Sequence, residues 1–329
     1  MVPIDVCRAM PKVELHVHLE GSIRPETVLR LAERHGVSLP ADSVEGLREW
    51  YSFRDFRHFV EIYVAVSGCV RTPEDIEFVA REFLVGQAEQ NIIWSEVTYT
   101  AATIEKLAGV PWDEQIDALN RAMAWGKEEL GVEMGLILDI VREDDIESGM
   151  RTAERAVGSR DRGVVALGLS GVEGKDLARH LKPAFDLARE SGLPIVPHAG
   201  ETQGAHSIWE ALELTSCQRI GHGIRCLEDG ELVKELRKRG MVLEVCPSSN
   251  VCLTGIPAIE AHPIGEIFEM GVAVTINSDD PPMFGTTLSD EFARCSAAFG
   301  WDAEVLRGMV RTAAAASFCP DQVGLMGQI

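Results

Sequence analysis

The sequence predicts an α/β fold, a (β/α)8 TIM barrel with a helical excursion between its first two strands. Three observations lead to this prediction. Short apolar or β-branched runs recur along the chain, and each is followed by an amphipathic stretch. The runs near 132, 241 and 272 are almost continuously hydrophobic, as in parallel strands buried on both faces. With 329 residues, of which 46% are hydrophobic, the chain suits one barrel domain over 1–329.

The first half of the chain supplies four predicted strands, which cover 12–18, 92–98, 132–141 and 164–169. A helix opens near Pro25, a residue that suits the first helical turn, and ends at Gly36. An aromatic helical stretch over 50–66 forms the excursion between strands 1 and 2, and its phenylalanines either pack in the core or line a pocket. Further helices are predicted at about 112–130 and 143–158.

The second half repeats the unit four more times, with predicted strands at 193–198, 219–222, 241–245 and 272–277. Helices are predicted at about 176–191, 207–215, 228–239 and 263–270, and a helical tail closes the chain. His262 and Pro263 are expected to have a structural role at the start of one of these helices. A doubly wound open sheet is the competing fold, but no glycine-rich phosphate loop follows strand 1.

The charge and the cysteines restrict the possible partners and compartment. The formal net charge is −21, so the surface repels phosphate backbones and anionic lipids, and we expect a small-molecule substrate rather than nucleic acid or a membrane. The eight cysteines contain no C-x-x-C pair, which indicates reduced thiols in a cytoplasmic protein. We expect no signal peptide and no membrane span, because no apolar run reaches 18 residues.

Two histidines in strand 1 are the first candidates for chemistry. His16 and His18 are spaced i and i+2, so on a strand they face the same side and can clamp one metal ion. His198 ends strand 5 and is followed by Glu201, while His222 ends strand 6. Strand 8 leads into the neighbouring pair Asp279 and Asp280, which diverge if their backbone is extended. Since the carboxyl ends of barrel strands converge on one face, we expect these groups to meet there.

These residue types suit metal-assisted hydrolysis. Imidazole and carboxylate ligands favour zinc or a similar divalent ion with one position open for water. Such an ion lowers the pKa of its bound water to about 7. A neighbouring histidine can then hold or deprotonate the water, and a glutamic acid can protonate the group under attack. The residues alone do not name the substrate.

Five motifs, in chain order, resemble those of the adenosine deaminase family. They are MPKVELHVHLEGS at 10–22, HAGE at 198–201, RIGHGI at 219–224, CPSSN at 246–250 and NSDDP at 277–281. The resemblance extends from about residue 10 to residue 318. It implies a purine substrate, attack of water at C6 and release of ammonia.

The resemblance also implies a role for each site residue. One Zn²⁺ per chain would be held by His16, His18, His198 and Asp279. Glu201 would protonate N1 of the purine, His222 would orient the attacking water, Asp280 would bond at N7, and Gly171 would contact N3. His18 would also lie against the substrate. Glu20 stands where members acting on nucleosides often have aspartate, which reaches the ribose.

Several substrates and one other reaction class remain open. The first expectation is deamination of adenosine to inosine. The alternatives are aminodeoxyfutalosine, a modified adenine nucleoside, and free adenine. A more remote alternative is another amidohydrolase reaction, which often uses two metal ions bridged by a carboxylated lysine. Lys175 lies in the loop after strand 4 rather than at its end. A binding protein without catalysis is a third class, and the complete set of candidate residues argues against it.

Overall fold

A computed structural model describes residues 1–174 and 178–329. Within them, eight parallel strands form one sheet in the order of the chain, which confirms the predicted barrel. The strands are β1 (Lys12–His18), β2 (Ile92–Tyr99), β3 (Glu133–Val141), β4 (Val164–Ser170), β5 (Ile195–Ala199), β6 (Arg219–His222), β7 (Val242–Val245) and β8 (Ala273–Ile276). Each predicted strand is present, with its ends shifted by no more than two residues.

The barrel is joined between its last and first strands by the segment just beyond β8. The His18 N–H donates to the Asp279 carbonyl at 2.9 Å, and the Asp279 N–H donates to the His16 carbonyl at 3.1 Å. Asp279 therefore continues the β8 side of the barrel alongside β1. These backbone bonds hold Asp279 beside the two histidines of β1.

Helices surround the strands and cover the outer face of the barrel. In the first half they are α1 (Ile4–Ala9), α2 (Pro25–His35), α3 (Val44–Trp50), α4 (Phe56–Ser67), α5 (Pro73–Glu89), α6 (Ala101–Ala108), α7 (Trp112–Trp125) and α8 (Ile146–Gly158). In the second half they are α9 (Lys182–Glu190), α10 (Ala205–Thr215), α11 (Gly230–Arg239), α12 (Pro247–Leu253), α13 (Ile264–Glu269), α14 (Pro281–Phe284), α15 (Leu288–Phe299), α16 (Ala303–Ala316) and α17 (Gln322–Met326).

The aromatic stretch 50–66 is not one helix, so that prediction was wrong in detail. The chain leaves α3 at Trp50 and re-enters a helix only at Phe56. Asp55 has extended backbone, and its carboxylate accepts the His58 N–H at 2.8 Å, which caps the start of α4. The capping carboxylate starts a second helix, which spacing of the aromatic residues alone did not reveal.

The helix predicted over 176–191 begins later, at Lys182, after a short 3₁₀ turn at Arg179–Leu181. The first part of that prediction, through residue 177, lies outside the described residues, as does Lys175. All eight cysteines are unpaired in the structure. In the described part of the chain, no helix is both long enough and apolar enough to cross a bilayer.

Candidate metal-dependent active site

Four predicted ligands lie together at the carboxyl ends of the strands. One ligand atom from each of His16, His18, His198 and Asp279 lies within 4.8 Å of the others. The Nε2 atoms of His18 and His198 are 3.2 Å apart, and Asp279 Oδ1 lies 3.3 Å from the former. The structure thus brings together side chains from β1, β5 and the segment after β8, as the sequence predicted.

Hydrogen bonds on the far side of two rings set which nitrogen faces this group. The His16 Nδ1–H donates to Glu244 at 3.0 Å, and the His198 Nδ1–H donates to the Leu169 carbonyl at 2.8 Å. The Nε2 lone pairs are thereby turned toward the common centre. His16 Nε2 is buried and has no hydrogen-bond partner among the described residues. Buried acceptors that converge without a donor fit a bound cation.

Electrostatics supports the same interpretation. Burial lowers the pKa of His18 to about 4 and that of His198 well below its ordinary value, so both rings are neutral. Burial also lowers the pKa of His16, but its contacts with Asp279 and Glu244 outweigh this and raise it to about 10. A cation at this group therefore competes with a proton on His16.

The backbone at Asp279 and Asp280 differs from the prediction of extended residues. Asp279 has φ +63°, in the left-handed region, and Asp280 has φ −119°. The two carboxylates point in different directions because Asp279 is left-handed, and not because the backbone is extended, as the sequence analysis assumed. His222 is also left-handed, with φ +59°. Non-glycine residues in this region are uncommon, and two of the five among the described residues are these candidate site residues.

Two glycines make room for the site. A Cβ atom on Gly21 would lie 1.5 Å from Asp280 Oδ1, and one on Gly221 would lie 2.7 Å from the His16 ring. Neither clash could be relieved without moving a candidate site residue. The glycines of the first and third motifs therefore allow these side chains to approach the backbone closely.

Glu201 and His222 lie next to the ligand group. His222 Nε2 is 3.7 Å from Glu201 Oε2 and 4.0 Å from Asp279 Oδ2. Burial, reinforced by the carboxylates of Asp279 and Glu173, raises the pKa of Glu201 well above its ordinary value. Burial and the neighbouring Asp279 likewise raise the pKa of Asp280. Both carboxyl groups consequently favour the protonated form, which can donate a hydrogen bond.

Glu173 holds the loop that carries Glu201, a relationship that the sequence analysis missed. Its buried carboxylate accepts the backbone N–H groups of four consecutive residues, 200–203, at 2.6–3.0 Å. It also accepts the hydroxyl groups of Thr202 at 3.1 Å and Ser207 at 2.5 Å. Burial raises the pKa of Glu173, but Arg142 and these hydrogen bonds outweigh it and lower the pKa overall, so the group is an anion.

The remaining predicted substrate residues have different surroundings. Gly171 follows β4 with φ +91° and lines a cavity of about 120 Å³ beside the group of four candidate ligands. Glu20 is buried and is not among the residues lining that cavity. Its carboxylate accepts the Thr100 N–H at 2.9 Å and the Tyr63 hydroxyl at 3.2 Å. Tyr63 lines the cavity, so Glu20 supports the wall from behind.

One wall of this inner cavity is apolar, and a second, outer cavity adjoins it. Phe56 and Phe59 of α4 line the inner cavity, whereas Phe53 packs against Phe59 outside it. A second cavity of about 820 Å³ adjoins it and shares part of its lining. The shared residues are Val60, Val64, Thr103, Val141 and Gly171. The outer cavity is lined by charged groups of both signs, among them Lys106, Glu143, Arg151 and Arg155.

Glu244 is a second contact that sequence analysis did not identify. It lies within β7, is fully buried, and joins His16 to Arg219. A lone acidic residue in an otherwise apolar strand was a usable signal, because buried carboxylates need partners. Glu173 offered no comparable signal, since four of the groups that it binds are backbone N–H groups, which leave no residue pattern.

A barrel that brings four imidazoles and three acidic side chains together at its strand ends is typical of a metal-dependent hydrolase. Residues 11–325 match the family described as Adenosine deaminase. The chain belongs to the adenosine deaminase family, a group of hydrolases that act on C–N bonds.

Individual relatives agree with this assignment. The chain is 39% identical over 311 residues to the aminodeoxyfutalosine deaminase of Streptomyces coelicolor, covering 94% of this chain and 80% of the relative. It is 36% identical over 317 residues to the adenine deaminase of Vibrio parahaemolyticus, covering 96% and 93%. The crystal structure of adenine deaminase from Arthrobacter aurescens superimposes with a TM-score of 0.91 at 30% identity, covering 97% of each chain.

Proposed function

We propose that this protein hydrolytically removes the 6-amino group of an adenine ring that carries a large substituent on N9. Aminodeoxyfutalosine is the foremost candidate, since one of the relatives bears that activity in its name. The single observation that carries the proposal is the outer cavity, which adjoins the inner one at Gly171.

Zn²⁺ is the proposed metal, held by His16, His18, His198 and Asp279. The donor set of three imidazoles and one carboxylate fits this ion, which would take the place of the proton on His16. When bound, zinc lowers the pKa of a coordinated water. The chain's own residues supply the proton transfer and the orientation of the ring.

Two acids that favour the protonated form match two acceptor nitrogens of a purine that lie on either side of its 6-amino group. N1 and N7 flank C6 on its two sides, and both carry lone pairs. Glu201 would donate its proton to N1, which makes C6 more electrophilic, and Asp280 would donate a hydrogen bond to N7. Asp280 lines the inner cavity, so its carboxyl group is within reach of a ring placed there. His222 would orient the water that adds to C6, and the amino group leaves as ammonia.

The opposite edge of the ring would then face Gly171. N3 and N9 are both bonded to C4, so a ring with N3 at Gly171 directs its N9 substituent past that residue. Gly171 belongs to the lining of both cavities, and the outer one extends from there. Val60 and Val64 of α4 form another part of the shared boundary. A substituent on N9 therefore has space outside the inner pocket, which a free base would leave unused.

Adenine is the second candidate, because a curated relative and a solved structure are named for that activity. Adenosine, the substrate expected first from the sequence, stays a prediction, since these relatives are named for other compounds.

The test is ammonia release from aminodeoxyfutalosine, adenosine and adenine, compared by kcat/KM. We expect the highest value for aminodeoxyfutalosine. Ala102→Phe, at a position that lines only the outer cavity, should lower this value about 10-fold or more by filling the space, whereas turnover of adenine stays unchanged. Adenine as the best substrate, with no effect of Ala102→Phe on any compound, would contradict the proposal.

A further inference from the structure

A buried chain of three side chains leads away from the proposed site on the side of His222. His262 and Asn250 are 3% and 0% exposed, and neither is among the residues lining the inner cavity. His262 precedes α13, and Asn250 lies in α12. Both residues are linked to His222 by hydrogen bonds, so they can influence a ring that faces the reacting atoms.

The direction of the first bond is fixed, because a backbone N–H can only donate. The Ile264 N–H donates to His262 Nδ1 at 3.1 Å, which satisfies one of the free N–H groups at the start of α13. His262 Nδ1 therefore carries no proton. Burial also lowers the pKa of His262 to about 4, so the ring is neutral and its proton is on Nε2.

The orientation of the Asn250 amide follows from this. His262 Nε2–H donates to Asn250 Oδ1 at 3.1 Å, so the amide nitrogen is turned to the other side. Asn250 Nδ2 donates to His222 Nδ1 at 3.1 Å. The reverse orientation would require a proton on His262 Nδ1, and that proton would face the Ile264 N–H.

The tautomer of His222, the last ring in this series of hydrogen bonds, follows in the same way. Because His222 Nδ1 accepts, the proton of the neutral ring is on Nε2, the atom that lies 3.7 Å from Glu201 and 4.0 Å from Asp279. We propose that His262 and Asn250 are positioning residues that hold His222 with an Nε2–H donor directed into the site. This rests on the proposed function only in assigning that donor to the attacking water, which His222 then orients and does not deprotonate.

The proposal is tested directly by the tautomers of the two rings. With ¹⁵N-labelled histidine, long-range ¹H–¹⁵N spectra distinguish a protonated ring nitrogen from an unprotonated one. The nine histidine signals include those of His222 and His262, which are assigned by comparison with His222→Gln and His262→Gln. In the wild-type protein, with and without zinc, both rings should carry the proton on Nε2. A proton on His222 Nδ1 in either state overturns the proposal.

Asn250→Asp reverses the bond to His222 while it keeps an acceptor for His262. The introduced carboxylate accepts from both rings, so the proton of His222 should move to Nδ1 and that of His262 should stay on Nε2. We expect kcat to fall about 10²-fold or more, with little change in KM and unchanged zinc content. In a His222→Gln background, Asn250→Asp should lower kcat no further, because it acts through the His222 ring.

Asn120→Asp is the matched control, since Asn120 lies in α7 and donates to the Arg162 carbonyl, away from the site. It should leave the His222 tautomer and kcat unchanged. Two results contradict the proposal. One is an Asn250→Asp variant in which His222 keeps the wild-type tautomer. The other is an Asn250→Asp substitution that lowers kcat as much in the His222→Gln background as it does in the wild-type protein. The wild-type spectrum decides it even where a variant does not fold, and a protein with the expected tautomers but no deaminase activity would contradict only the proposed function.

Discussion

The Nδ1–H of His16 donates to the carboxylate of Glu244 at 3.0 Å, and the other oxygen of that carboxylate binds Arg219 Nε at 2.5 Å. Arg219 also pairs with Glu96 and lies over the ring of Phe318, with 3.9 Å between its guanidinium carbon and the ring centroid. A proposed metal ligand is thus oriented by a buried ion network that extends to the last part of the chain.

We expect Glu244→Gln to weaken zinc binding about 10- to 100-fold, because the amide is a poorer partner for the His16 Nδ1–H than a carboxylate is. Competition with a chelator of known affinity measures this. Glu96→Gln is the matched control, since it removes a partner of the same arginine without touching His16. It should reduce stability but retain zinc affinity. Equal affinities in the two variants would show that Glu244 does not tune the site.

Glu173→Gln should lower kcat about 10²-fold while zinc content stays constant, because the amide cannot accept all the N–H groups that hold the Glu201 loop. If Glu173 acts by positioning Glu201, the same substitution should have no further effect in a Glu201→Gln background. Kinetics of the single and double variants test this double-mutant cycle.

The control for this cycle is Asp75→Asn. Asp75 is another buried carboxylate that accepts two backbone N–H groups, those of Arg71 and Thr72, and its other partners are Arg34 and His35. We expect it to reduce the melting temperature and to leave kcat unchanged. Additive losses from Glu173→Gln and Glu201→Gln would indicate a general structural role for Glu173.

The positions of the candidate residues were predictable because strand periodicity and chain order determine them. Once eight strands alternate with helices, residues at their carboxyl ends must converge, so His16, His198 and Asp279 could be grouped from the sequence. The spacing of His16 and His18 also fixed their common face. These inferences require only the period of a strand and the direction of a parallel sheet.

Contacts between distant segments were less predictable. The bonds from Glu173 to the loop at 200–203 depend on backbone groups, which leave no trace in the residue pattern. The left-handed backbone at Asp279 arises where the chain joins β1, and neighbouring residues gave no indication of it. The two helices within 44–67 required recognition of Asp55 as a cap, a local feature that the aromatic spacing obscured.

Glu201→Gln should retain the metal and lose about 10²- to 10⁴-fold in turnover, because an amide fills the same space but cannot transfer a proton to N1. Zinc content and kcat are measured on the same preparation. Glu231→Gln, on the exposed first turn of α11, is the control and should behave like the wild-type protein. Turnover that survives Glu201→Gln nearly intact would rule out Glu201 as the proton donor.

We expect one zinc ion per chain, although two groups of potential ligands share Asp279. The second group includes His222 and Cys246, and neither suits a metal. The proposed Nε2–H of His222 points toward the site, and burial raises the pKa of the Cys246 thiol well above its ordinary value, which disfavours the thiolate that a metal would need. After loading with excess zinc and gel filtration, the molar ratio of zinc to protein chain should therefore be one in the wild-type protein and in Cys246→Ala. His18→Ala should lower it toward zero. Removal of the metal should lower the melting temperature, and adding zinc back should restore it, because the ion binds the folded chain. A ratio near two would instead favour an amidohydrolase reaction with a bridged metal pair.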